Sequence, residues 1–355
     1  MGIHFDLSRM EEVIQNHERW WKGELDRPLI HGIIYDAYST SQTTELPLLS
    51  QANCNDLSRS PEEIIEAYDR QLSKYEFIGD GYPHINMDVF GPGVVAAFCG
   101  AKLDNSSGRV WFFPEEEKEI HEIHVKYDPD NIWSRRIKDI YRAGLERWNG
   151  SVIMGMPDLG GVLDIAASLY GSEELLFALL DEPGEVHRLR EEIHTAWHEA
   201  YNDFANVLMA QGGYSDWSLL LSKTPSYILQ SDFSYMISPA MFEEFVIDNL
   251  REDTQRLSHT IYHLDGIGEL RHLDSILSLK NLNAVQWVYG DGQPGPMHWL
   301  EDVYRKIQKA GKQIMIMGGA EEYLDTLGEL HGSPYSIQWF EEKDRDFAMK
   351  LLKAR

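Results

Sequence analysis

Short apolar runs alternate with longer stretches of helical periodicity along this chain. Runs that are rich in β-branched or aromatic residues, and are often followed by Gly, Pro or Asp, predict strands. The eight runs are 28–35, 84–89, 151–156, 215–221, 259–264, 284–288, 313–317 and 336–340. Between them, apolar residues at helical spacing predict helices, including 183–213, 238–257 and 300–311.

Eight strands with helices between them predict a single α/β domain over 1–355, a (β/α)₈ TIM barrel of parallel strands. The spacing is regular from 259 onward. In the first half, 36–83 and 90–150 are long for single βα units and predict insertions. A doubly wound open sheet is the alternative, but no GxGxxG follows the first strand to favour it.

Composition and charge narrow the classes of partner. The 355 residues are 43% hydrophobic and 11% aromatic, which is typical of a folded protein with a substantial core. The formal net charge is −26, and acidic residues occur along the whole length. Phosphate backbones and anionic membrane surfaces attract clustered Lys and Arg, so nucleic acid and membrane partners are not expected.

Cysteine use and hydropathy predict a cytoplasmic protein. Cys54 and Cys99 lie far apart and form no CxxC pair, which does not suggest a disulfide framework. The charged N-terminal stretch lacks the apolar core of a signal peptide. No run of about 18 apolar residues suggests a membrane span.

The candidate chemistry lies at the ends of the predicted strands, where parallel barrels carry their active sites. His263 and Asp265 follow the apolar run 259–264 and, with period-two alternation, point to one face. An imidazole and a carboxylate so placed suit two ligands of a zinc-like metal, or a histidine oriented for proton transfer. The alternative is that one of the two residues caps the following helix while the other faces solvent.

Other strand ends add acidic and aromatic candidates. The acids are Asp88, Asp158, Asp232 and Asp291, and the tryptophans are Trp217, Trp287 and Trp339. Three tryptophans on one rim would line a pocket for a flat or methylated ligand, including a cationic one. A single tryptophan in such a position is more often part of the buried core. Asp232 lies in a polar loop, where a turn role is equally expected. The chain contains neither GxSxG nor HExxH.

The ordered motifs of the chain resemble those of the uroporphyrinogen decarboxylase superfamily. They are RWWKGELDRPLI, MDVFGPGVVAAFCGA with VWFFP, DIAASLYGSEELLFALLDEP, QSDFSYMISPAMFEEF, IYHLDG and QWVYGDGQP. The likeness covers nearly the whole chain and is greatest for the branch that includes corrinoid-dependent methyltransferases. It implies a single (β/α)₈ barrel with its site at the strand C-termini.

The departures from the family sharpen this expectation. The haem-pathway decarboxylases hold a polyanionic substrate with an arginine-rich RQAGRY segment, whereas Arg27 is the only arginine near the first predicted strand here. The thiol-activating methyltransferases carry H-x-C and a later cysteine. This chain has His263-Leu264-Asp265 at that position and no cysteine after Cys99, which excludes thiolate ligands in the second half. A mixed zinc site on His263 and Asp265 remains open.

The resemblance implies a methyltransferase that moves a methyl group between a small O- or N-methylated compound, or a thiol or pterin acceptor, and the cobalt of a corrinoid. Because no DxHxxG segment is present, the corrinoid is expected on a separate partner protein. Zinc at His263 and Asp265 would act as Lewis acid. Three acids, Asp88, Asp158 and Asp232, are candidates for third ligand or proton donor, and Asp291 and the three tryptophans for substrate contacts.

Two alternatives keep the fold and change the chemistry. One is a metal-free lyase or decarboxylase in which His263, oriented by Asp265, donates a proton to a smaller substrate. The other is a barrel without catalytic activity that only binds a ligand or a protein partner.

Overall fold

A sheet of mainly parallel strands forms the centre of the molecule. The computed structural model describes residues 2–38 and 47–353. Its strands are β1 Leu29–Ile34, β2 Glu76–Gly79, β3 His84–Ile85, β4 Lys102–Asp104, β5 Trp111–Phe113, β6 Ile153–Met154, β7 Ser226–Leu229, β8 His259–Asp265, β9 Ala284–Val288, β10 Gln313–Ile316 and β11 Tyr335–Phe340.

The strand order is that of a TIM-like α/β fold. Seven strands form one sheet in the order β2-β1-β11-β10-β9-β8-β7, in which only β2 is antiparallel to its neighbour. A separate parallel pair joins β3 to β6, and β4 and β5 form an antiparallel hairpin. Within the described residues, the strand ladder therefore does not run unbroken around a circle of eight.

Helices cover the sheet and separate its strands. They are α1 Ser8–Trp21, α2 Pro61–Leu72, α3 Val95–Phe98, α4 Ile132–Trp148, α5 Val162–Tyr170, α6 Ser172–Asp181, α7 Pro183–Leu208, α8 Pro239–Phe245, α9 Ile247–Arg256, α10 Leu273–Leu277, α11 Arg305–Lys309, α12 Ala320–Leu327 and α13 Arg345–Leu351. Several begin as the sequence predicts: Ser238 caps α8 through the backbone N–H of Met241, with Pro239 in the first turn. None of the described helices has the length and apolarity needed to cross a membrane.

The predicted strand at 215–221 is wrong, and β7 takes its place in the sheet. The chain turns after Asp216, whose carboxylate accepts the backbone N–H of Ser218 at 2.8 Å. Its other oxygen accepts the N–H of Ile228 at 2.9 Å, and Leu219 has a positive φ of 57°. This local side-chain bonding competes with an extended conformation.

Two predicted helices are also interrupted. The segment 238–257 divides into α8 and α9 at Val246, and 300–311 begins with a π-helical turn, Leu300–Tyr304, before α11. The long first-half segment 90–150 contains the hairpin β4–β5 together with α3 and α4.

Alternation along the strands separates two buried layers. The inner face of the sheet, which we define by Ile228, Ile261, Ala284, Met315 and Tyr335, forms one apolar cluster together with the two tryptophans that end α1. Trp21 stacks on the ring of His259, the first residue of β8, with the ring centroids 4.8 Å apart. Helix α1 therefore covers the N-terminal end of the inner face, and polar groups collect at the opposite end.

The other layer lies between the sheet and its helices. We call this side the outer face; it presents Tyr262, Leu264, Val285 and Ile316 to the large apolar cluster that the surrounding helices share. Residues two apart on a strand lie on the same face, so His263 belongs to the inner face with Ile261.

Candidate functional site

His263 lies near the C-terminal end of β8, and its hydrogen bond determines which ring nitrogen carries the proton. Its Nδ1 is 2.5 Å from Oε1 of Gln286, the residue opposite it on β9. The Gln286 amide nitrogen lies 3.2 Å and 3.3 Å from the sulfur atoms of Met315 and Met317, which accept but do not donate. The amide oxygen therefore faces His263, Nδ1 donates, and Nε2 keeps its lone pair.

The surroundings of His263 keep its ring neutral. Trp217 meets the imidazole edge to face with the ring centroids 4.8 Å apart. Burial lowers the pKa of His263, and the hydrogen bond to Gln286 and the charge of Asp265 only partly oppose this effect. The Nε2 atom lies 3.9 Å from a carboxylate oxygen of Asp265, beyond hydrogen-bond distance. Nε2 can therefore serve as a base or as a ligand.

Carboxyl groups surround this end of β8, and we call Asp164, Asp232, Asp265 and Glu269 the mouth carboxylates. Glu269 is only 1% exposed; one oxygen accepts the backbone N–H of Asp265 at 3.3 Å and the other has no hydrogen-bond partner. Burial, with the charges of Asp232 and Asp164, raises the pKa of Glu269 to about 10. This carboxyl group is therefore protonated at neutral pH.

Asp164 and Asp232 are held next to each other by the backbone. Asp164 accepts the N–H groups of Gly161, Asp232 and Phe233 at 3.1, 3.1 and 2.6 Å. Burial, followed by the charge of Asp232, raises the pKa of Asp164 to about 7. Asp232 is exposed, but enclosure by the protein and the charge of Asp265 raise its pKa to about 6. Each carboxylate thus makes ionisation of the next one costlier.

Asp158 joins this network, and Asp88 lies at its edge. Burial and then the charge of Asp232 raise the pKa of Asp158 well above the ordinary value, although Gly93 and Gly160 donate N–H groups to its carboxylate. Asp88 begins a short 3₁₀ turn, and burial raises its pKa. Its charge acts on Asp158 more weakly than that of Asp232 does.

The aromatic and acidic rim candidates do not all reach this site. Trp217 contacts His263, whereas Trp287 is 0% exposed, lies on the outer face and packs against Trp299. The expected position of Trp287 at the rim is therefore corrected to the core, because it alternates with Gln286. Trp339 is exposed and meets Tyr75 edge to face. Asp291 is exposed in the turn that follows β9.

A cavity of about 430 Å³ opens between the hairpin β4–β5 and the loop after β7. Trp111, Phe113 and Phe233 line its apolar side, and Asp164 and Asp232 its polar side. Its volume is in the range of small-molecule sites. The predictions did not include Asp164, Glu269 or the hairpin aromatics, although Glu269 follows the HLDG motif by three residues and the hairpin aromatics belong to the VWFFP motif.

The expected zinc site on His263 and Asp265 has two ligands. Catalytic zinc sites in proteins take three protein ligands. Among the described residues, no third His, Cys, Asp or Glu places a ligand atom within 4.8 Å of both. Neither cysteine supplies this third ligand: Cys54 is buried in the turn before α2, and Cys99 follows α3. The residues present at the mouth therefore do not complete a zinc site.

A second group lies in the helical layer and could hold a metal ion. His194 and His198 on α7 and Asp253 on α9 are buried, and their ligand atoms lie within 4.8 Å of one another. The predictions did not include this group. Two histidines four apart in the predicted helix 183–213 were the visible indication, since such residues share one helix face.

Comparison with known proteins identifies the fold. No family model matches the chain, and no curated protein matches it. Among solved structures, a methyltransferase from Methanosarcina mazei superposes with a TM-score of 0.60 at 10% identity. The superposition covers 92% of this chain and 93% of that one. At this identity the likeness shows a shared fold, and the chain thus has the TIM-like α/β fold of that methyltransferase.

Proposed function

We propose that this chain is a methyltransferase whose substrate is a small methylated cation, bound among the mouth carboxylates. The observation that carries the proposal is a cavity with an aromatic side and with Asp164 and Asp232 on its polar side. The charge of Asp265 acts on Asp232, and the charges of Asp232 and Asp164 act on Glu269. Acidic groups in this arrangement repel one another, and a cation among them would relieve the repulsion. Trp111 and Phe113 add aromatic faces, which attract alkylated ammonium groups.

The fold likeness supports methyl transfer as the reaction. The Methanosarcina mazei protein is a methyltransferase, and the structural match extends over nearly the whole of both chains. The motif resemblance to the uroporphyrinogen decarboxylase superfamily points to a corrinoid on a separate protein as the methyl acceptor. Transfer of a methyl group from a quaternary ammonium donor to a reduced corrinoid breaks the C–N bond, whose electron pair stays on nitrogen, and releases a neutral amine. The reduced corrinoid supplies the electron pair of the new bond to the methyl carbon.

The chain's own residues would bind and orient the donor. Asp164, Asp232 and Asp265 hold the cation. Trp217 limits the space beside His263, and His263 Nε2 presents a lone pair towards the mouth. The released amine is neutral, so the mouth carboxylates, which favour cations, favour the substrate over the product. No step in this proposal passes through a bound metal.

A metal-free lyase is the second candidate, and the raised carboxyl pKa values favour it. Glu269, with a pKa of about 10, and Asp164, with a pKa of about 7, can donate protons at neutral pH. His263 is a poor proton donor because burial lowers its pKa. The acid of such a lyase would therefore be a carboxyl group.

Turnover with charged and neutral methyl donors tests the proposal. Tetramethylammonium and methoxybenzene are compared as donors to free reduced cobalamin, whose absorbance reports methylation. We expect transfer from the cation, and Asp265→Asn should raise its KM roughly tenfold or more because a charge near the donor is lost. His187→Ala, a change on the surface of α7, should leave the KM for the cation and the turnover rate unchanged. Equal turnover of the neutral donor, or no transfer from either donor, would refute the proposal.

A further inference from the structure

The helical layer contains a polar group that the mouth chemistry does not use. His194 and His198 occupy one face of α7, a single turn apart, and Asp253 faces them from α9. All three side chains are less than 9% exposed. We propose that His194, His198 and Asp253 bind one divalent transition-metal ion of the zinc class, which joins α7 to α9 as a structural site.

The contacts among the three groups do not form a complete set of hydrogen bonds. Nε2 of His194 and of His198 lie 2.7 and 2.9 Å from the same oxygen of Asp253, and 3.1 Å from each other. A carboxylate only accepts, so both rings must present N–H to it. Two N–H donors then face each other at the third contact, which is repulsive. Deprotonated Nε2 atoms that share a cation remove this conflict.

The spacing of the three atoms fits such an ion. A triangle with sides of 2.7, 2.9 and 3.1 Å has a circumradius of about 1.7 Å, which is shorter than zinc bonds of about 2.0–2.2 Å. An ion at that distance sits above the triangle and contacts all three atoms without a large movement. Two imidazoles and one carboxylate are a common set of zinc ligands.

Unpartnered oxygens beside the cluster indicate a missing cation or water. A cavity of about 20 Å³, which has room for about one water, is lined by Asp253, Asn249 and Gln230. Asn249 and Gln230 are 5% and 6% exposed, and their side-chain oxygens have no hydrogen-bond partner. Buried amide oxygens normally have a donor. A metal-bound water in this cavity would supply a donor and a fourth ligand.

The outer side of His194 also suits a ligand histidine. Its Nδ1 faces a carboxylate oxygen of Glu252 at 3.8 Å. Ligand histidines usually direct their second nitrogen to a carboxylate, directly or through water, which fixes the tautomer that leaves Nε2 free for the metal.

The site would stabilise the loop that carries Asp158. Trp197 lies between the two histidines in sequence and packs edge to face on His198. Its indole N–H donates to the carbonyl of Gly160 at 3.0 Å. An ion that fixes α7 against α9 therefore also fixes this loop against the helix.

The test counts metal ions in the full-length protein and uses a background in which the mouth is disabled. His263→Ala removes the imidazole of the expected mouth site, so tetrahedral Co²⁺ absorption with nitrogen ligation in that variant reports a site elsewhere. The chelator-treated His263→Ala protein is titrated with Co²⁺, whose visible absorption reports tetrahedral nitrogen and oxygen ligation. We expect one equivalent of Co²⁺ to bind, Zn²⁺ to displace it, and Zn²⁺ to raise the Tm by about 3 °C.

Two further variants locate the ion. His198→Gln should lose the bound equivalent and the Zn²⁺-dependent rise in Tm. His187→Ala, a half-exposed histidine on the same helix, should keep both. The proposal fails if His198→Gln retains the ion. Should His198→Gln not fold, the titration of His263→Ala decides alone: absence of Co²⁺ absorption and of a Tm rise overturns the metal site. Neither result depends on methyl transfer, so failure here and failure of the proposed function are distinguishable.

Discussion

Asp232→Asn should stabilise the metal-free protein at pH 8 and have little effect at pH 3. The pKa of Asp232 rises from 3.8 to about 6 and that of Asp164 from 3.8 to about 7. The folded protein therefore binds more protons than the unfolded chain between about pH 4 and 7. The stability that these groups contribute is present below pH 4 and is lost as the pH rises through 6 and 7.

The magnitude follows from the pKa values and the exposure of the side chain. A rise from 3.8 to about 6 would correspond to about 3 kcal/mol without screening. Because Asp232 is exposed, solvent screening reduces the expected gain for Asp232→Asn to about 1 kcal/mol at pH 8. At pH 3 the carboxyl is largely protonated in both the folded and the unfolded chain, and the amide replaces a neutral group with a neutral group.

Urea denaturation in the presence of a chelator at both pH values measures this effect. Asp291→Asn is the matched control, since it removes an exposed acid that is not part of the mouth carboxylates, and its effect should not change between the two pH values. The reasoning is refuted if Asp232→Asn destabilises the protein at pH 8, or if it stabilises the protein equally at pH 3 and pH 8.

Two other substitutions probe the fold and the site. Asp80→Ala should destabilise the protein by about 2–4 kcal/mol in urea denaturation, because buried Asp80 accepts two hydrogen bonds from Arg27 at 2.6 and 2.7 Å; an effect under 1 kcal/mol would contradict this. Gln286→Leu should reduce turnover roughly tenfold with the fold intact, since His263 loses the acceptor of its Nδ1 proton. Nitrogen NMR of the imidazole should then show a mixture of tautomers, and an unchanged single tautomer would contradict the account.

Much of the second half of the fold could be predicted because its strands follow local rules. The runs 259–264 and 284–288 are apolar, rich in β-branched residues and separated by helical segments, and both are strands in the structure. The run 215–221 is equally apolar, yet Asp216 bonds to nearby backbone N–H groups and turns the chain. Whether this segment turns therefore depends on a contact with Ile228, which lies outside the run. The apolar pattern of 215–221 does not reveal that contact.

The site could be predicted only where it lies on a strand end. His263 and Asp265 follow a clear apolar run, but Asp164 comes from the first turn of α5 and Glu269 from a 3₁₀ turn after β8. Their proximity is a tertiary property. The sequence likewise does not determine which face of the sheet Trp287 occupies. That depends on the pairing of His263 with Gln286 across β8 and β9, which puts Gln286 on the inner face and Trp287 on the outer face.

The group formed by His194, His198 and Asp253 illustrates the same limit. The spacing of His194 and His198 predicts a shared face once the helix is assigned. Asp253 lies more than fifty residues later on another helix, and only the packing of α7 against α9 brings it into contact with both.

Calorimetric titration of a methylated cation tests most directly the central claim that the mouth carboxylates bind such a substrate. Choline and its neutral isostere, in which a quaternary carbon replaces the nitrogen, are titrated at pH 8 into the wild-type protein and into an Asp232→Asn, Asp265→Asn double variant. We predict one choline per chain, at least tenfold tighter than the isostere, with most of that preference lost in the double variant. Equal binding of the two compounds to the wild-type protein, or a choline preference that survives in the double variant, would contradict the account.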